Sequence, residues 1–193
     1  MLCHNDAQNV RKCEDRFRSV RKIASDVERR CPVTQLNGGA VAPRAELSHL
    51  ALEAADWRDA LAQLADHALA AGFVRDSFKD ALIGREEKYP TGLPTAVPVA
   101  IPHADVEHVL RPGLAVAVLK NPVDFGEMGG ADDASVAARV LVMILVTEPH
   151  DQVEQLSRLI GVFQQDGWYE ALARSTSAAE LTQKFTDLLS VDA

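Results

Sequence analysis

Val99-Ala100-Ile101-Pro102-His103-Ala104 is an apolar run that stops on a proline and is followed at once by a histidine. Val97 to Ile101 has the composition and length of a buried strand, and a proline, which has no N–H to give, helps to end it. His103 then stands where a rigid strand meets solvent. An imidazole held there can take a proton, bind a metal or attack an electrophile. A second histidine, His150, follows Glu148-Pro149 at the expected start of a helix. Free N–H groups and aligned peptide dipoles make such a position favourable for negative charge.

The other histidines are His4, His49, His67 and His108. His4 lies in an N-terminal arm, and His49 and His67 fall inside regular elements, where they read as ordinary boundary residues. His103, Asp105 and His108 do not have the His-Glu-x-x-His spacing, and no cysteine lies close by, so no metal site is expected. A serine hydrolase would need Gly-x-Ser-x-Gly, a nucleotide-binding protein a Walker loop, and a dinucleotide-binding protein its glycine fingerprint; none occurs. Residue chemistry alone ends at a protein with a functional histidine whose role stays open.

The elements that position these residues begin near residue 44. Leu47 to Leu52 reads as a short strand. Asp56 is a good N-cap for a helix with Trp57, Ala60, Leu61, Leu64, Ala65, Ala68 and Leu69 on one stripe, and Gly72 stops it. Asp76 is expected to open a second helix through Phe78, Leu82 and Ile83. Tyr89 to Pro94 reads as a loop. After strand 97–101, a further strand runs from Leu114 to Leu119, a glycine-rich loop from Gly126 to Asp133, and a strand from Ala138 to Val146. A helix over about 151–164 is expected to turn Val153, Leu156, Ile160 and Phe163 inward. A short helix near Trp168 to Ala173 follows, and Ser177 to Glu180 forms a capping box for the last helix, which buries Leu181, Phe185, Leu188 and Leu189. Helices precede, interrupt and follow the strands, so the expected fold is α/β, a central mixed sheet with helices on both faces.

The chain has 193 residues, 47% hydrophobic and 25% charged, with a net charge of −8. That balance disfavours nucleic acid as a partner. No apolar run approaches the roughly 20 residues of a membrane helix, and the first residues lack a signal-peptide core. A cytoplasmic protein without membrane insertion is expected. Residues 1–43 stand apart with eight basic and five acidic residues, a local balance of +3 that leaves −11 for residues 44–193. They read as a basic, flexible extension that closes on Asn37-Gly38-Gly39 and Pro43. A thin apolar stripe of Phe17, Val20, Ile23 and Val27 would allow a helix over Cys13 to Arg30. The three cysteines, Cys3, Cys13 and Cys31, all lie in this arm, match no zinc pattern and read as reduced thiols.

From about residue 45 to 190 the chain resembles the IIA components of the bacterial phosphoenolpyruvate-dependent sugar phosphotransferase system (PTS), in the fructose–mannitol class (PTS EIIA type 2). The resemblance rests on Arg85-Glu86-Glu87, Pro90-Thr91-Gly92-Leu93, Val99-Ala100-Ile101-Pro102-His103, Val123-Asp124-Phe125-Gly126 and the stretch Leu141 to Leu156, in that order. The Tyr89 to Thr95 loop looks closest to the galactitol-type branch. The resemblance implies a type-2 domain over residues 44–193 and a phosphotransferase with a phosphohistidine intermediate. His103 would accept a phosphoryl group from phospho-HPr and pass it to a cysteine of a IIB component, while a membrane IIC component moves the sugar, a hexitol such as galactitol or a fructose-like sugar. It further implies that Arg85 and His150, which holds the place of the family's second histidine, stabilise the phosphoryl group, and that no cofactor or metal is needed. The alternative within the family is a regulatory, nitrogen-type IIA protein whose phosphorylation controls protein partners without sugar transport. The basic arm has no counterpart in the family's core domain.

Overall fold

The computed structural model describes residues 41–190 apart from Asp132. Of the expected extension over residues 1–43, residues 1–40, with the expected helix and the cysteines, lie outside the described residues. Val41 to Pro43, the end of that extension, belong to the folded unit. Val41 is buried, and the Leu114 amide donates to the Ala42 carbonyl and the Arg44 amide to the Leu114 carbonyl.

Five strands form one mixed sheet: β1 (His49–Leu52), β2 (Gly92–Leu93), β3 (Val99–Ala100), β4 (Gly113–Gly126) and β5 (Ser135–Leu145), in the spatial order β1-β4-β5-β3-β2. The β1/β4 and β3/β5 pairs are parallel, and β4/β5 and β2/β3 are antiparallel. Side chains alternate across the sheet, as strand geometry requires. Ala100, Ala115, Ala117, Leu141, Met143 and Leu145 face one layer, built from α1 (Trp57–Ala70) and α2 (Phe78–Lys88). Val99, Ile101, Val116, Val140, Val142 and Ile144 face the other, built from α3 (Pro149–Gln164), α4 (Trp168–Ala173) and α5 (Ala178–Leu189). The α/β expectation, with helices on both faces, holds.

Caps account for two helix boundaries. The Asp56 carboxylate accepts from the Asp59 amide at the start of α1, and the Ser177 hydroxyl accepts from the Glu180 amide at the start of α5. Helix α1 ends in a Schellman turn in which Phe73 and Gly72 donate to Ala68 and Leu69, with Gly72 at φ 74°. Helix α2 begins at Phe78, not at Asp76. Ser77 takes the cap position, but its hydroxyl is engaged with His108 Nδ1 at 2.8 Å.

All five strands differ from expectation. Tyr89–Pro94 is not wholly a loop, because Gly92–Leu93 pairs with Val99–Ala100 as β2, and β5 starts at Ser135 rather than Ala138 because β4 carries the ladder out to Gly126. Strand β1 starts at His49, because Ala45–Leu47 forms a 3-10 turn. Strand β4 runs to Gly126 through an irregular register between Val118 and Val123, so Lys120-Asn121-Pro122 bends the ladder and does not end it. Strand β3 is limited to Val99–Ala100 by Pro98 and Pro102, yet both prolines accept across the gap, from Arg139 and Ile144. In α3 the inward line is Gln155, Leu159, Val162 and Phe163, while Val153 is exposed and Leu156 half-buried. A buried glutamine holds a core position there, so matching on apolar residues alone selects the neighbouring line.

Candidate functional site

His103 sits just past β3 and makes a parallel bridge to Ile144, anchored by the Ile144 amide donating to the Pro102 carbonyl at 3.0 Å. The side chain is 7% exposed, so it is held by the sheet and still reaches solvent. Both ring nitrogens are engaged. Nδ1 lies 3.0 Å from the Ile101 carbonyl, which can only accept, so Nδ1 carries the proton. Nε2 lies 2.9 Å from Nη2 of Arg85, which can only donate, so Nε2 presents its lone pair. Burial pushes the imidazole pKa below its ordinary value. The Arg85 charge adds to this, while the Ile101 bond and Asp105 work in the opposite direction. The arrangement defines a neutral, oriented imidazole, which is the nucleophilic form.

Arg85 stands on the last turn of α2. Its Nε is buried with no partner among the described residues, which leaves a guanidinium donor unused. The guanidinium carbon lies 5.3 Å from the centre of the Tyr89 ring, and the Lys88 ammonium nitrogen 5.1 Å from it. These groups border a cleft of about 830 Å³, which His103 and Thr91 line together with residues 126–131 and Ala134.

Close backbone contacts fix the floor of that cleft. A Cβ on Gly92 would lie 2.6 Å from the Gly126 carbonyl oxygen, and one on Gly126 would lie 2.7 Å from Pro90 Cβ. Only glycine at both positions lets the Tyr89–Leu93 segment press against the β4–β5 hairpin. The Met128 amide then donates to the Gly92 carbonyl at 2.8 Å.

Of the three residues singled out in the sequence, the structure brings His103 and Arg85 into hydrogen-bonding contact. His150 lies on the first turn of α3 with its side chain half exposed and its Nε2 3.0 Å from the Asp151 carboxylate, and it does not line the cleft at His103. Glu86 was not singled out. It is 5% exposed, and its carboxylate accepts from both the amide and the hydroxyl of Thr91, at 2.8 and 2.7 Å. The signal was in the helix period: Phe78, Leu82 and Glu86 are spaced four apart, so Glu86 falls on the buried line of α2. Among the described residues no group of three or more His, Cys, Asp or Glu side chains is placed to hold a metal ion, and no helix is long and apolar enough to cross a membrane.

A mixed sheet covered on both faces thus holds a buried imidazole at a strand end, with an arginine on its free nitrogen. Residues 44–187 match the family described as phosphoenolpyruvate-dependent sugar phosphotransferase system, EIIA 2, and the chain belongs to that family. It is a phosphotransfer component of the sugar-transporting PTS. It is 30% identical over 132 residues to the galactitol-specific EIIA component of Escherichia coli K12, which covers 68% of this chain and 86% of that one. The mannitol IIA crystal structure from Escherichia coli superposes with a TM-score of 0.60 at 25% identity, covering 76% of this chain and 98% of that one. The mannitol IIA in a complex with phosphorylated IIB from the same organism gives 0.58 at 26%, covering 76% and 95%.

Proposed function

We propose that the protein accepts a phosphoryl group from phospho-HPr on Nε2 of His103 and passes it to a cysteine of a IIB component, for uptake of a hexitol such as galactitol or a fructose-like sugar through a membrane IIC component. The observation that carries this reading is the pair of contacts on the imidazole, Nδ1 to Ile101 and Nε2 to Arg85. The likeness to galactitol-specific EIIA and to a mannitol IIA in complex with IIB supports the sugar class and the acceptor.

The step balances without a cofactor. The Nε2 lone pair forms a new N–P bond as the donor's N–P bond breaks, and the donor imidazole keeps the bonding pair. The Nδ1 proton stays on the Ile101 carbonyl side throughout. The phosphoryl group is loosely bonded at the transition state, so positioning and charge do most of the work. Arg85 swings its donors from Nε2 to the phosphoryl oxygens, where a charge-assisted fork is the strongest contact available to it. His150 lies outside this inner pair and contributes only if it leaves Asp151.

The test is phosphoryl uptake from phosphoenolpyruvate, enzyme I and HPr, followed by transfer to a IIB partner. Wild type should gain one acid-labile phosphate and His103→Ala none. Stoichiometric label on His103→Ala would refute His103 as the acceptor. Uptake with no transfer to any IIB cysteine would point to the regulatory branch of the family.

A further inference from the structure

We infer that Glu86 is a positioning residue for His103, acting on the Nδ1 side of the ring through Thr91 and Ile101, opposite the direct contact of Arg85. The inference rests on His103 being the phosphoryl acceptor. The connection is continuous. The Glu86 carboxylate accepts both donors of Thr91, the Thr91 carbonyl accepts the Ile101 amide at 3.3 Å, and the Ile101 carbonyl accepts Nδ1–H of His103 at 3.0 Å. The third of these links extends the β2–β3 ladder by one rung beyond Gly92↔Ala100.

Two neighbouring residues on one turn of α2 thus hold the two nitrogens of the same ring. Arg85 reaches Nε2 directly, and Glu86 reaches Nδ1 through two segments of backbone. Thr91 is 1% exposed and lies between Pro90 and Gly92, both pressed against Gly126, so the intermediate segment has little room to shift. A carboxylate is expensive to bury, and this one is spent entirely on fixing Thr91. Fixing Thr91 fixes the direction of the Ile101 carbonyl, and that carbonyl acts with Arg85 on the other nitrogen to decide where the proton stays. If Nδ1 loses that partner, the proton redistributes between the nitrogens and the lone pair at Nε2 is no longer constant.

A side chain that only anchors a loop would change stability and leave the tautomer alone, so the tautomer is the deciding measurement. Nitrogen-15 spectra of the unphosphorylated imidazole should show one dominant Nδ1–H form in wild type and a mixture in Glu86→Ala. Single-turnover phosphoryl uptake should slow roughly ten- to hundredfold in that variant, the scale of a small misplacement of a reacting group. Glu86→Gln should recover most of both signals, because its amide oxygen can accept the Thr91 amide and its NH2 can donate to the Thr91 hydroxyl. If Glu86→Ala does not fold, Thr91→Val asks the same question by removing one hydroxyl. A wild-type tautomer and rate in the disrupted variant, with only a lower melting temperature, would overturn the inference. If wild type itself takes no phosphate, the functional reading falls, and the tautomer comparison still decides whether Glu86 positions the ring.

Discussion

His103 and His150 are the same residue type at similar places, each just after a sheet strand, and the molecule treats them differently. His103 is 7% exposed with a partner on each nitrogen, whereas the His150 side chain is 50% exposed and pairs, among the described residues, with its own neighbour Asp151. A sequence shows that both lie at strand ends. It does not show that one lies under a proline-bounded strand with an arginine closing over it. The difference teaches that burial with assigned partners, more than location at a strand end, gives a histidine a defined tautomer and orientation.

The comparison can be broken most directly at Arg85. Replacing it with alanine removes a hydrogen bond between charged groups worth about 1.5–3 kcal/mol, or about ten- to a hundredfold in transfer rate if it acts fully in the transition state. Arg85→Lys should restore part of this, since it returns the charge without the fork. Rapid-quench measurement of transfer from phospho-HPr checks both, and an unchanged rate in Arg85→Ala would leave His103 working alone.

His150→Ala should have a smaller effect on the same measurement, about threefold or less, as expected for an exposed side chain paired with a neighbour. If its loss matched that of Arg85→Ala, His150 would have to sit on the phosphoryl group in the loaded protein, and the contrast would belong only to the unloaded state.

The mildest test uses acid. His103 has its pKa lowered by burial, so the unfolded chain binds the proton more readily than the folded one. Stability should therefore hold above the ordinary histidine value of about 6.5 and fall as pH drops below it, until the folded-state pKa is passed. His49, lowered by burial and by His67, adds a loss of the same sign. Denaturant unfolding of wild type and His103→Gln across that range isolates the His103 share as the difference in slope. Parallel slopes would show that the ring gains no protection from its surroundings.

Most of the fold was legible, because periodicity and caps report on local backbone. The α1 stripe from Ala60 to Ala68, its Asp56 cap, the Gly72 stop and the Ser177 cap appear where the sequence places them, while Leu69 at the end of that stripe is exposed. What was not legible depended on distant partners. Pro122 looks like the end of a strand until β5 is there to carry the ladder past it. Gln155 looks like a surface residue until the sheet beneath α3 is in place. At the site, His103 came from its place at a strand end, and Arg85 only from the resemblance to the family. Glu86 stands in an Arg-Glu-Glu run, and only its spacing from Leu82 and Phe78 marks it as buried.

The hairpin of β4 and β5 also orders events in time. Its strands are joined through residues 127–134, a short excursion, whereas β3 reaches β5 only after residues 101–134 have been gathered in. Loop closure over the longer span costs about 1.3 kcal/mol more entropy than over the shorter one. The hairpin can zip early, with the two-residue β3 docking onto a surface that already exists. A refolding chain therefore spends part of its journey with the β4–β5 hairpin formed and His103 not yet seated against Ile144.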